Sequence, residues 1–166
     1  RALALVRKYF EGIPPGPPLR RAEAWVPPFD RNLLDTMQDR VPQPRLYRVY
    51  RAPAWRDAEV QRLNLVGNLL TGSRSGRLTR RLVYEKELAT TVSAFPWEKE
   101  LSGDFVITVT VKPGADPAVA EREMDEVIRE FVEQGPTADE LQRAQNRALA
   151  DFLRGRERLG GFGGRS

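Results

Sequence analysis

The sequence predicts an α+β domain in which helices pack on one face of an antiparallel or mixed sheet, with elements in the order β-β-α-α-β-β-α-α. Three observations carry that prediction. From Asp104 to Lys112, Phe105, Ile107, Val109 and Val111 alternate with Asp104, Val106, Thr108, Thr110 and Lys112, the period of a strand with one buried face. Beyond Asp116 the period changes to that of a helix, with Ala120, Met124, Val127, Ile128 and Phe131 along one side. Each apolar surface needs a partner, so Phe105, Ile107, Val109 and Val111 are expected to touch Met124, Val127, Ile128 and Phe131.

In chain order, Arg1–Glu11 is a helical piece, with Leu3, Val6 and Phe10 at i, i+3 and i+7. Four prolines in the five positions 14–18 then make a stiff, extended linker without amide donors. A helix this short, cut off by such a linker, has no core of its own. Residues 1–18 are therefore expected to be the end of a preceding domain plus a Pro-rich linker. Residues 19–166 are expected to be a separate α+β domain truncated at its C-terminal side, the whole chain being a fragment.

Arg31–Val41 is expected as a first strand despite Asn32, Asp35 and Gln38, and Arg45–Ala52, with Leu46, Tyr47, Val49 and Tyr50, as a second. Pro42 and Pro44 break the chain between them. Asp57–Leu70 predicts a helix with Val60, Leu63, Gly67 and Leu70 on one face, an acid near its start and Gly72 at its end. A second helix is expected over Gly76–Glu87, placing Leu78 above Leu82. Ala89–Trp97 and Asp104–Lys112, joined by a short polar segment ending in Gly103, predict an antiparallel hairpin. Asp116-Pro117 caps the next helix and Gly135 closes it. Thr137-Ala138-Asp139-Glu140 is a capping box for a last helix, carried by Leu141, Ala144, Ala148 and Phe152 to about Arg158.

The 166 residues suit one domain or two very small ones, and 40% hydrophobic with 30% charged residues is a globular composition. No apolar run approaches the roughly 20 residues that cross a bilayer, and no secretory signal is recognisable. The chain has neither Cys nor His, which excludes disulfides, thiol nucleophiles, imidazole bases and His- or Cys-ligated metal within it. Absence of Cys agrees equally with a periplasmic and a cytoplasmic home, so localisation stays open. Of the net charge of +4, residues 1–56 carry 11 basic and 5 acidic side chains, dispersed rather than clustered as a nucleic-acid footprint would be.

No catalytic constellation emerges from residue chemistry. Thr71-Gly72-Ser73-Arg74-Ser75-Gly76-Arg77 invites a phosphate-loop reading, but it lacks the Lys-[Ser/Thr] ending and follows no strand, so a joint between helices with Arg77 on the surface is expected. Arg74, Arg77, Arg80 and Arg81 are the densest basic cluster. With Glu85 and Glu87 next to them and no aromatics interleaved, they read as an ion-paired helix face. Glu121/Asp125 and Asp139/Glu140 have helical duties, and nothing sets two acids across a cleft. Ser73, Ser75 and Ser93 have no His to activate them. Trp25, Trp55 and Trp97 are expected as core or domain-boundary anchors.

Residues Leu69–Leu82, with their Leu-Leu, Gly, small-residue and Arg-Leu run, followed by Leu88–Ala94, resemble the repeated domain of the pitrilysin/insulinase (M16) family of zinc proteases, which includes mitochondrial processing peptidase. Val6–Pro14 is similar to the end of that family's first domain and its linker. Pro42–Tyr47 and Leu159–Gly164 also resemble family segments.

The resemblance implies a fold of paired α+β domains, of which only the first holds zinc through a His-x-x-Glu-His helix. That motif needs two His, so zinc is expected in an upstream domain and none in this chain, with no catalytic, cofactor or metal residues here. The family's non-zinc half often supplies a substrate-holding Arg and, seven residues on, a Tyr; the matching positions are Val83 and Thr90, while Arg81 and Tyr84 fall out of register. The resemblance thus implies the non-catalytic domain that follows the zinc domain. Its partners would be that domain, peptide substrates in the parent, and a second copy of the chain; neither nucleic acid nor a transmembrane segment is expected. The alternative is a non-enzymatic scaffold or subunit-interaction domain from a degenerate relative.

Overall fold

The computed structural model describes residues 1–20, 22–26 and 28–157. Strands β1 (Arg45–Ala52), β2 (Ala89–Trp97) and β3 (Gly103–Val111) form a sheet in the order β1-β3-β2. Both pairings are antiparallel, which resolves the open choice between antiparallel and mixed. Val109 stands between Leu46 and Val92, and Ile107 between Arg48 and Ala94. One irregularity interrupts the register: between Ala89 and Thr91, Thr90 is an extra residue, and its hydroxyl donates to the Thr110 carbonyl at 3.3 Å.

The helices are α1 (Ala2–Phe10), α2 (Ala58–Thr71), α3 (Pro117–Gln134) and α4 (Ala138–Glu157). Their ends follow the sequence closely. Asp57 accepts from the Glu59 amide and Asp116 from the Ala118 amide, both at 2.9 Å. The capping box closes in both directions, with the Glu140 amide donating to Thr137 Oγ1 at 3.2 Å and the Thr137 amide to Glu140 Oε2 at 2.8 Å. The expected approach to Arg158, and the Leu159–Gly164 segment, lie outside the described residues.

Two expected elements differ. Arg31–Val41 is not a strand but an exposed, unladdered segment, so β1 is the first strand. Here Asp35 and Asp39 accept from the amides of Thr36 and Arg40, local bonds that compete with ladder pairing. Gly76–Glu87 is not an α-helix throughout: Thr79–Glu85 is wound as a π-helix, with the Lys86 amide reaching back five residues to the Arg81 carbonyl at 3.0 Å. The wider coil still leaves Leu78 and Leu82 fully buried, as their spacing demands.

Helices α2 and α3 and the π-helix cover one face of the sheet. Its core joins Phe105, Ile107 and Val109 with Met124 and Val127, while Ile128 and Phe131 pack against its margin, the contact expected from the two periodicities except at Val111, which is buried outside that cluster. Ala144 buries the start of α4 on the same assembly. Helix α2 lies so close to β2 that a Cβ at Gly67 would collide with the Ala94 carbonyl oxygen. Gly67→Ala is therefore expected to cost about 1–3 kcal/mol, read as a lowered midpoint in urea, even though Ala is the better helix former. An unchanged midpoint would show that α2 can move off the sheet freely.

Helix α1 buries none of its residues, with Leu3, Val6 and Phe10 more than half exposed. Between it and β1 the described chain is almost wholly exposed, tied down where the Trp25 amide donates to the Leu101 carbonyl at 3.0 Å.

Candidate functional site

Because strand side chains alternate, the register places a second set of residues on the face away from the helices. Tyr47 and Val49 from β1, Val106 and Thr108 from β3, and Ser93, Phe95 and Trp97 from β2 share it. Tyr47, Val49, Phe95 and Trp97 are 46–60% exposed, so the outer strands of this surface are open, while Val106 between them is buried and Phe29 packs on Arg51 at its end near Asp104. An open sheet face usually reads polar. This one is aromatic, β-branched and hydroxylated.

Its one buried acid is Asp104, which accepts from Lys99 Nζ at 2.5 Å and from Arg51 Nη1 at 2.9 Å. The Lys99 hydrogen bond, outweighing burial and joined by Arg51, holds the Asp104 carboxyl below its ordinary range. The same two cations lie on aromatic rings: Lys99 is 4.7 Å from the Trp97 ring centre and Arg51 4.6 Å from that of Phe29. The tryptophans are not core anchors. All three are about half exposed or more, and the backbones of Trp25 and Trp55 donate to the Leu101 and Lys99 carbonyls at this end of the hairpin.

The other residues singled out by sequence sit on the helical side. Ser73 and Ser75 Oγ atoms are 2.8 Å apart in the joint after α2. Arg77 is not a surface residue: it is 14% exposed, donates to Glu140 from Nε at 3.0 Å and Nη2 at 2.7 Å, and bonds the Gly135 carbonyl that ends α3. Arg80 pairs with Glu85, and Arg81 reaches Glu85, Glu123 and Glu130, so the basic cluster is an ion-paired face as expected. Arg74 lies over the Tyr84 ring. Val83 packs at the margin of the core and Thr90 occupies the bulge. Glu121 and Asp125 grip Arg48 of β1, at 3.1 and 2.7 Å, a tie between α3 and the sheet that sequence reasoning did not foresee. Asp139 lies in the first turn of α4, and Ser93 is exposed on the open face.

These residues do not fit a zinc site. The chain has no His or Cys, and among the described residues no group of three or more potential ligands could hold a metal. Nor is any buried side-chain nitrogen or oxygen there left without a hydrogen-bond partner. Among the described residues, no helix is long and apolar enough to cross a membrane.

No curated protein matches the chain significantly. Solved structures share its fold. A protease from Helicobacter pylori superposes with a TM-score of 0.67 at 20% identity, over 71% of this chain and 29% of that one. The inactive peptidase domain of a candidate zinc protease from Bordetella parapertussis gives 0.61 at 23% identity, over 72% and 65%. A peptidase M16 inactive domain from Pseudomonas fluorescens gives 0.54 at 18%, over 68% and 28%. This chain thus spans under two thirds of each of these proteins. The family described as Peptidase M16 inactive domain matches residues 1–148, nearly all of the described fold. With that match and its α+β architecture, the chain belongs to the inactive-domain family of the M16 peptidases.

Proposed function

We propose that this domain serves a zinc metalloendopeptidase as part of the wall of a chamber holding unfolded peptides, while a separate, preceding domain holds the zinc. The open sheet face carries this reading. Tyr47, Val49, Phe95 and Trp97 offer apolar contact, and Ser93 and Thr108 offer hydroxyls, to a chain of mixed sequence. Asp104 is held by two cations, which limits selection by charge. Residues 1–18 belong to the preceding domain in this proposal, and the exposed stripe of α1 packs against it across the Pro-rich linker.

In the parent protein, Val49→Asp combined with Phe95→Asp is expected to lower kcat/KM for an unfolded peptide by about tenfold, as acids replace apolar contacts. Both side chains are exposed, so the melting temperature should hold. The exposure of α1 favours a second reading, a scaffold domain that binds another subunit through that helix and handles no peptide. Unchanged kcat/KM in the double variant would select it.

A further inference from the structure

We propose that the cleft between the α2–π-helix joint and α4 binds a phosphate group. The cleft measures about 410 Å³, room for a small phosphorylated molecule. Arg143, Arg147 and Arg154 line it from α4 and, at i, i+4 and i+11, share one stripe of that helix. Like charges four residues apart weaken a helix, so the stripe opposes the stability of the element that carries it.

The local acids neutralise it only in part. Glu140 lines the cleft, but its carboxylate is taken up by Arg77 and Thr137. Asp151 is divided between Arg147 at 3.8 Å and Arg154 at 3.4 Å, and among the described residues Arg143 has no ion-pair partner. Opposite the arginines stand the Ser73 and Ser75 hydroxyls. The flanking glycines need no ligand to explain them: a Cβ at Gly72 would lie 2.6 Å from the Asn68 carbonyl oxygen, and one at Gly76 2.8 Å from that of Leu70. Guanidinium forks on one wall and hydroxyls on the other suit a tetrahedral oxyanion, whose three terminal oxygens can meet both, better than a carboxylate.

Titrating inorganic phosphate, phenyl phosphate and acetate into the chain at constant ionic strength, with amide shifts read by NMR, tests this. Both phosphates are expected to give saturable shifts at Ser73, Ser75, Arg143 and Arg147, with acetate binding about tenfold more weakly. Tighter binding of phenyl phosphate assigns the site to a phosphate carried on a larger molecule, and equal binding to the free ion. R143Q combined with R147Q should abolish saturation while the amide spectrum stays folded. Should that variant fail to fold, S73A with S75A must weaken binding severalfold. Shifts linear in phosphate, acetate as effective as phosphate, or binding unchanged in the folded variants would overturn the proposal.

Discussion

Val109→Asp is expected to unfold the domain. Val109 is fully buried in the central strand, paired with Leu46 on one side and Val92 on the other beneath the helices. An unpaired charge there costs several kcal/mol, comparable with the roughly 5–15 kcal/mol that holds a domain together. Thr108→Asp, one residue earlier and on the open face, is expected to cost about 1 kcal/mol or less, because water reaches that site. Circular dichroism melts of the two variants compare the faces directly. Equal losses would mean that both faces are buried in solution.

The second large effect is acid-dependent and centres on Glu140. Its carboxyl is lowered to about 2, first by the hydrogen bond from Arg77, then, against some burial, by the amide and hydroxyl of Thr137. A carboxylate lowered on folding stabilises the native state fully above its unfolded value of about 4.5, and that contribution disappears as the pH falls towards 2. The full shift converts to about 3 kcal/mol, which solvent screening at the cleft rim reduces to about 1–2 kcal/mol. Arg77→Ala should remove the larger part of this at neutral pH, the Thr137 bonds keeping the rest, and about another 1 kcal/mol by leaving the Gly135 carbonyl without its donor. Urea midpoints at pH 7 and pH 3 should therefore differ less in the variant than in the parent chain. A pH dependence that survives Arg77→Ala undiminished would place the acid sensitivity elsewhere, for example at Asp104, which Lys99 and Arg51 also hold low.

What could be read from sequence was whatever depends on neighbours a few residues apart. The acid at the start of α2, the caps at Asp116 and Thr137–Glu140, the β2–β3 hairpin and the α3 stripe all rest on local spacing, and they stand as expected. Arg31–Val41 misled because its branched and apolar residues suit a strand, whereas pairing depends on a distant edge and loses to local Asp–amide bonds. The π winding at Thr79–Glu85 escaped because Leu78 and Leu82 satisfy the core in either coil. The open face was obscured for a related reason. Tyr47, Val49, Phe95 and Trp97 have the composition of buried strand residues, and only the packing of α2, α3 and the π-helix on the opposite side exposes them. Arg48 and its two acids lie more than 70 residues apart, beyond any local pattern.

The strand order β1-β3-β2 also bears on how the chain can be made. The outer strands do not pair with each other, and their shared partner is the last of the three in sequence. During synthesis at roughly 5–20 residues per second, β1 is complete at Ala52 but meets no strand until β3 ends at Val111, about 3–12 seconds later. Throughout that interval the apolar surfaces of α2 and the π-helix have no completed sheet to lie on. The nascent chain must carry them unburied past the ribosome exit, where binding by a holding chaperone, or by a neighbouring nascent chain, competes with folding.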